Sequence, residues 1–467
     1  MWGIVLNRQS ELQLKRQIYQ SLRKLITNGQ LKSSEALPST RDLAKDLNVS
    51  RNTVCEAYEM LIAEGFVISR QGAPTRVTEG LCIERSSDYT PPESITQVRV
   101  FAADFRTGRP DLRQFPRFLW QQMLHKVSEE MPLEQLGYTG PQGHYELRKE
   151  IAAWLFRSRG LAVDPMGIFI TAGATHALHL IADLLCTEGR GILIEDPCHS
   201  GMLRTFQNTR CPIIPIPVDE HGIQTEHLKN IENACAIYVT PSHQFPLGGI
   251  LPAARRAELI RFARENEMYI IEDDYDSEFR YCGEPVAPLH ALDPQQVIYV
   301  GTFSKALFPA LRIGYVILPG KLHKQWCILR THTDVQNPPF EQAVLTEFLR
   351  TRKLDRHVQK MRKIYGQRRL VLLKSLKEVF GSEWIAFGDA AGLHLTIEFP
   401  DMCFDDAFKT SCIQNGINIT PVEYHCIQKG WHQSKLLIGY GHLEPEEIRK
   451  GIKLLHDFMQ STLRKLS

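Results

Sequence analysis

No apolar run in the 467 residues approaches the roughly 20 needed to cross a bilayer. Met1-Trp2-Gly3 leads straight into polar sequence without the apolar stretch of a signal peptide. A membrane protein is therefore not expected, and the cytoplasm is the expected compartment. The 11 cysteines are scattered, odd in number and free of any Cys-x-x-Cys pair. That spacing excludes a zinc ribbon or a dense disulfide framework, so reduced thiols and no metal site are expected. Charge of one sign is also lacking: 55 Lys and Arg stand against 53 Asp and Glu, a net of +2. Overall charge thus says nothing in favour of nucleic acid, although residues 1–80 hold 11 basic against 8 acidic side chains. Internal repeats and low-complexity tracts are absent.

What is present divides into three regions, since a chain of this length exceeds what one hydrophobic core organises. Residues 1–80 are charged and helical in pattern, and residues 81–102, through Tyr89-Thr90-Pro91-Pro92-Glu93-Ser94, read as a linker. Residues 103–467 form the effector region. Within it, apolar runs at Gly167–Ile170, Gly191–Glu195, Ala236–Thr240, Tyr269–Glu272, Val297–Val300 and Ile313–Leu318 alternate with amphipathic helices. Short apolar strands separated by helices predict an α/β fold with a mostly parallel sheet, in a large lobe of about 150–340. Long helices followed by strands at Gly392–Phe399 and Lys435–Tyr440 predict a smaller α+β lobe over 341–467.

In the first region, Leu14, Ile18, Leu22, Leu25 and Ile26 fall at helical spacing before Gly29. Ser39 caps a second helix and Ser50 a third, in which Val54, Ala57, Tyr58, Leu61 and Ile62 share one face. Arg51, Asn52 and Thr53 then occupy the exposed first turn, where a recognition helix presents its side chains. Phe66–Ser69 and Thr75–Thr78 make a small hairpin-like wing with Arg70 and Arg76. The same periodicity also fits a helical dimerisation module with solvated basic residues.

In the effector region, Lys305 lies in Gly301-Thr302-Phe303-Ser304-Lys305, after an apolar strand. Asp273 ends the strand Met268–Glu272, at the edge where open α/β sheets place ligands. Tyr275 follows closely, and Thr171-Ala172-Gly173-Ala174-Thr175 is a glycine turn opening a helix, whose free amides suit a phosphate. Thr302, Ser304 and Arg312 complete a candidate cradle. Singly, each has a plainer explanation: a solvated lysine, a helix-capping aspartate, a packed tyrosine, an ordinary turn. Together they supply the amine, the carboxylate, the hydroxyl donor and the phosphate grip that pyridoxal phosphate (PLP) chemistry requires.

Two resemblances sharpen this. Leu37-Pro38-Ser39-Thr40-Arg41-Asp42-Leu43-Ala44, Val49-Ser50-Arg51-Asn52-Thr53-Val54 and Leu61-Ile62-Ala63-Glu64-Gly65-Phe66 resemble the winged helix of the GntR superfamily. The resemblance implies double-stranded DNA as a partner, with Arg41, Ser50, Arg51, Asn52 and Thr53 at phosphates or base edges. The wing carrying Arg70 and Arg76 departs from the usual Gly-x-Gly-Thr pattern. From Phe105-Arg106-Thr107-Gly108 onward the chain resembles fold-type-I, aspartate aminotransferase-like PLP enzymes. The landmarks are Tyr138-Thr139-Gly140-Pro141-Gln142-Gly143, Glu272-Asp273-Asp274-Tyr275, and Ser304-Lys305 with Arg312. The combination, with Thr240-Pro241-Ser242-His243-Gln244-Phe245-Pro246, resembles the MocR/GabR branch of GntR regulators. It implies a PLP Schiff base at Lys305, a pyridine partner at Asp273 and a phenolate contact from Tyr275. It also implies phosphate contacts from Ala174, Thr175, Thr302, Ser304 and Arg312.

Departures from that pattern matter as well. Glu195-Asp196-Pro197-Cys198-His199 puts His199 where a tyrosine usually stacks on the cofactor ring, and an ordinary imidazole titrates near neutrality. The late strand Lys435–Tyr440 offers Leu437 where enzymes of this fold carry a carboxylate-gripping arginine; Lys435 and Arg204 are the substitutes considered. The leading expectation is a PLP-dependent, dimeric transcriptional regulator sensing an amino compound through Lys305, with at most weak transaminase activity. The alternatives are a working aminotransferase with an accessory DNA-binding head and a direct sensor of PLP itself.

Overall fold

The computed structural model describes residues 3–80, 100–186, 189–229, 231 and 233–466, so most of the expected linker, 81–99, lies outside the described residues. Two compact units emerge, 1–98 and 99–467. In the first, helices Leu14–Thr27, Thr40–Asp46 and Arg51–Ala63 precede the antiparallel pair Val67–Ile68 and Arg76–Val77. Ile18, Leu22, Ile26, Leu43, Val54 and Leu61 interlock beneath Val67 and Val77 as one core. Ser39 and Ser50 cap the second and third helices as expected, accepting from the amides of Asp42 and Thr53.

The second unit is built on an eight-stranded sheet. From one edge its order is Ile168–Thr171, Gly314–Ile317, Val297–Thr302, Tyr269–Asp274, Ala234–Val239, Gly191–Asp196, Ile213–Asp219 and Gly222–Ile223. Gly314–Ile317 runs antiparallel to both neighbours and Gly222–Ile223 to its single partner; the remaining pairings are parallel. The strand Ile213–Asp219 was not expected from sequence, because Pro215 and Pro217 interrupt its apolar run. Ile213–Pro217 pairs with Ile192–Asp196 on one side. On the other, Gly222–Ile223 pairs only with Val218 and Asp219 and Gln224 donates to the Pro217 carbonyl at 3.0 Å, so the prolines sit near the sheet's edge, where a missing amide is tolerated.

This topology brings Thr171, Asp196, Val239, Asp274 and Thr302 to the same edge of the sheet. The smaller sheet, Ile385–Phe387, His394–Glu398, Lys435–Gly439 and Thr420–Pro421, is wholly antiparallel. Helices Lys353–Phe380 and Pro445–Leu466 share its core through Leu354, Met361, Leu372, Ile448, Ile452 and Leu455. Ala103–Asp104 pairs in parallel with Ile417–Asn418, so this unit takes in chain from both sides of the large sheet. A two-residue strand leaves too little periodicity to be read from sequence.

Cysteine chemistry departs from expectation. Cys186 and Cys211 are joined as a disulfide, and Cys235 Sγ lies 3.5 Å from Cys186 Sγ. Linear spacing hides the pair because each cysteine follows a different helix, Ala174–Leu185 or Ser200–Asn208, and the two helices pack together.

One ion pair is buried beneath the site. Arg159 reaches Asp274 Oδ2 at 2.9 Å, with both side chains at most 5% exposed. Tyr299 donates to the same oxygen at 2.5 Å. Arg159→Met is expected to lower stability by about 3–5 kcal/mol, because it leaves a buried carboxylate without its cation. Comparison of thermal or urea midpoints with the parent chain checks this.

Candidate functional site

The shared sheet edge opens into a cavity of about 220 Å³. Lys305, Asp273, Tyr275, Ala174, Thr175, His199, Thr302, Ser304 and Arg312 all line it, so the structure brings every expected cofactor residue together. Their chain separation explains why none was decisive alone: strand ends and helix starts meet only through the parallel topology.

Asp273 occupies the floor. Its Oδ2 accepts from Tyr238 OH at 2.8 Å, whereas Oδ1 is buried with no hydrogen-bond partner among the described residues. Burial pushes this carboxyl up to about 7, opposed by the Tyr238 hydrogen bond and the charge of Lys305. The Lys305 amine is depressed by burial and supported by the nearby charges of Asp276 and Asp273. Its Nζ donates to the Gly108 carbonyl. Gly108 has φ +68°, a backbone conformation that favours glycine, and a Cβ there would stand 2.8 Å from Nζ and displace the end of the lysine side chain.

The opposite end is a cradle. Gly173, at φ +92°, precedes helix Ala174–Leu185, whose first amides have no partner within the helix. A Cβ on Gly173 would lie 3.2 Å from the Arg312 guanidinium, which donates to the Ala172 carbonyl. Arg312 itself is left-handed, φ +52°, and that turn directs it back over the helix start. Thr302 and Ser304 hydroxyls lie 2.9 Å apart beside it. Helix amides, a guanidinium and hydroxyls converging on one point form an anion site.

Tyr275 lines the cavity, but its hydroxyl already donates to the His243 carbonyl at 3.0 Å and lies 3.1 Å from His243 Nδ1. Burial alone would depress His243, yet Asp276 at 3.1 Å outweighs it and the imidazole is raised overall. His199 behaves differently from the near-neutral titration expected of it. Burial and the Lys305 charge lower it to about 4, and its Nδ1 accepts from Gly201 at 3.1 Å. His199 therefore presents a neutral ring at neutral pH, packed 4.9 Å from Phe245.

Neither candidate for a carboxylate grip lines the cavity: Lys435 pairs with Glu398 at 3.1 Å, and Arg204 is exposed on its helix. Leu437 is buried with Val218, Phe245, Leu247 and Val422.

Tyr238, Asp276, His394, Thr107 and Gly108 were not among the expected cofactor residues, although all line the cavity. Tyr238 lies two places before Thr240, in the strand beside that of Asp273, and in the sequence it reads as one more apolar residue of that strand. Among the described residues no cluster of metal-ligand type occurs, and no helix is long and apolar enough to cross a membrane.

The cavity fits pyridoxal phosphate on its own chemistry. The unpartnered Asp273 Oδ1 awaits a ring N–H, the Lys305 amine stands across from it, and the cradle at Gly173 and Arg312 suits a phosphate. Ionised Asp273 is required for a protonated ring nitrogen, so cofactor affinity is expected to fall as pH drops through about 7. The Tyr238 hydrogen bond favours the ionised carboxylate. Tyr238→Phe is therefore expected to move that midpoint upward and weaken binding by about tenfold near pH 6, with less effect near pH 8.5. Cofactor titrations of both proteins across this range provide the check.

In the other unit, Arg41, Ser50, Arg51, Asn52, Arg70 and Arg76 are exposed and Thr53 is half-buried. Ser50 and Thr53 serve the cap, with hydroxyls 2.8 Å apart. Arg51 Nε donates to Thr40 Oγ1 at 3.3 Å, tying the start of the third helix to the second. Arg76 folds back onto the Ser34 carbonyl at 2.8 Å.

Residues 14–77 match the family model of bacterial regulatory proteins, gntR family, and residues 116–455 match that of aminotransferase class I and II. The chain is 31% identical to the probable rhizopine catabolism regulatory protein MocR of Rhizobium meliloti, over 97% of this chain and 95% of that one. It is 30% identical to the pyridoxine biosynthesis transcriptional regulator PdxR of Corynebacterium glutamicum, over 96% of each. Among solved structures, the kynurenine aminotransferase of Pyrococcus horikoshii matches with a TM-score of 0.72 and 26% identity. That alignment covers 78% of this chain and 92% of the enzyme.

Proposed function

Because the chain belongs to the helix-turn-helix transcriptional regulators of the gntR family that carry an aminotransferase class I and II domain, we propose that it couples promoter occupancy to chemistry at Lys305. The first unit binds DNA, and pyridoxal phosphate is the cofactor of the second. The effector domain spans 103–467, and two copies read paired half-sites on cytoplasmic DNA.

The observation that carries this is the meeting of Lys305, the open Asp273 Oδ1 and the Arg312 cradle in one cavity. When bound, pyridoxal phosphate supplies an electrophilic aldehyde carbon that an amine can engage. Lys305 would hold that carbon covalently, and its lowered basicity keeps more of the amine in its nucleophilic form. Asp273, oriented by Tyr238, would keep the ring nitrogen protonated. Ala174, Thr175, Thr302, Ser304 and Arg312 would anchor the phosphate. Neutral His199 would cover one ring face, and Tyr275 would exchange its bond to His243 for one to the ring oxygen. An effector amine that took the place of Lys305 would leave the lysine side chain free in the cavity, near the charges of Asp276 and Asp273. A ligand of this kind shifts the DNA-bound population only by its difference in affinity for the two states.

The test is a footprint of the full chain on its own upstream region, with and without PLP and candidate amines. A footprint altered by an amine supports the proposal. Alteration by PLP alone would make cofactor occupancy itself the signal. No footprint, with steady transamination of about 1–1000 per second, would make the chain an enzyme instead.

A further inference from the structure

Beyond the groups assigned to the cofactor, the cavity is walled by Thr107, Met202, Phe245, Pro309, Leu393 and His394. None of these side chains is a cation. The cations that do line the cavity, Lys305 and Arg312, donate to the carbonyls of Gly108 and Ala172 at the cofactor end. Of the cations nearby, Arg159 pairs with Asp274 and Lys435 with Glu398, while Arg106 and Arg109 share the single carboxylate of Asp104, and none of the four lines the cavity. The carboxylates of the lining are Asp273, at the cofactor end, and Asp276, paired with His243 at 3.1 Å, so an incoming carboxylate would lose its water and find no free cation in the wall.

His394 is a polar group of this wall with an unmatched buried atom. It stands at the start of strand His394–Glu398, is 2% exposed, and its Nε2 is buried with no hydrogen-bond partner among the described residues. A buried polar atom left unmatched is unfavourable until a ligand completes it. Burial, followed by the neighbouring His243, holds this imidazole well below its ordinary value, so it is neutral. The Pro246 carbonyl also acts on this ring, and a neutral imidazole that keeps its one N–H toward that carbonyl presents the unmatched Nε2 as an acceptor. Phe245, 5.1 Å from the His394 ring, fixes the wall from the other side.

We propose that this wall is the effector subsite, and that it selects primary amines bearing a neutral hydrogen-bond donor, as in an amino alcohol, and no carboxylate, with His394 accepting from that donor. The assignment rests on the cofactor reading of Lys305. It goes beyond that reading by naming the effector class and the residue that discriminates.

The experiment uses the full-length, cofactor-loaded protein and follows its visible band while ethanolamine, propylamine, β-alanine and L-alanine are titrated. With concentrations counted as the unprotonated amine, ethanolamine is expected to act at about tenfold lower concentration than propylamine, the worth of one hydrogen bond, and the two amino acids more weakly than either. His394→Phe should bring the ethanolamine and propylamine midpoints together while leaving that of propylamine in place. His394→Asn, which restores an acceptor, should recover part of the gap. Amino acids acting at or below the ethanolamine concentration, or a gap unchanged in His394→Phe, would overturn the assignment while leaving the cofactor at Lys305 intact. A protein with no visible band and no borohydride-trapped adduct would instead overturn the cofactor reading beneath it.

Discussion

Lys305→Ala should yield a folded, DNA-binding protein that has lost its visible band completely and gives no borohydride-trapped adduct on the peptide carrying residue 305. The loss is expected to be total because covalent attachment needs a primary amine. The other lysine near the cavity, Lys435, is held by Glu398 at 3.1 Å and does not line it. The fold should survive, since the side chain points into a cavity and makes its one hydrogen bond to the Gly108 carbonyl across it. Large costs from truncation arise where packed contacts are lost, and here the removed methylenes border existing space. Asp273 loses the positive charge that helps it ionise, so its already raised pKa should climb further. Residual, reversible retention of the cofactor through Arg312 and the helix amides is compatible with this, because that end of the cavity is untouched. Mass spectrometry after reduction separates the cases, and an adduct that persists in Lys305→Ala would place the anchor elsewhere. Operator binding without effector should match the parent chain, while any amine-dependent change in the footprint should vanish.

The sequence named residues that line the cavity but not the relations among them. Lys305, Asp273 and Arg312 were legible because each sits beside a strand or turn whose apolar pattern is strong. The partner of Asp273 was not, because Tyr238 reads as one more apolar residue in a buried strand and becomes a donor only when parallel pairing sets it beside Asp273. His394 was hidden for a related reason. A histidine opening a strand of the smaller sheet shows nothing of a cavity formed with the larger one. The neutrality of His199 is likewise a property of burial and of Lys305, neither of which spacing encodes. Sequence analysis did better in the first unit, where the contacts that matter are local. Ser39 and Ser50 were identified as caps, and the face carrying Val54, Ala57, Tyr58 and Leu61 is buried. Prolines concealed the strand Ile213–Asp219, and the joining of Cys186 to Cys211 depends on two helices packing side by side.

Arg51→Ala is expected to weaken operator binding by about tenfold or more while leaving the cofactor spectrum unchanged. Arg51 is the first residue of helix Arg51–Ala63, immediately after the Ser50 cap, and is exposed. Its guanidinium leans on Thr40 Oγ1 at 3.3 Å, a weak contact that fixes direction more than it stabilises. A cation at a helix N-terminus opposes the helix dipole, so alanine there should not harm folding and can help it slightly. The core residues Val54, Ala57 and Leu61 lie on the other face and keep their contacts. Whatever affinity is lost therefore reports on DNA. Its character is also decidable. If Arg51 meets a phosphate, the loss should be similar for operator and random duplex, and the slope of log affinity against log salt should fall by about 1. If it meets a base edge, the loss should be confined to the operator, at about 1–3 kcal/mol, and specificity should relax at one position. Unchanged operator affinity would remove Arg51 from the interface and leave Asn52 and Arg41 as the exposed candidates beside it. A spectrum that changed with the DNA affinity would mean that the two compact units do not act as separate sites.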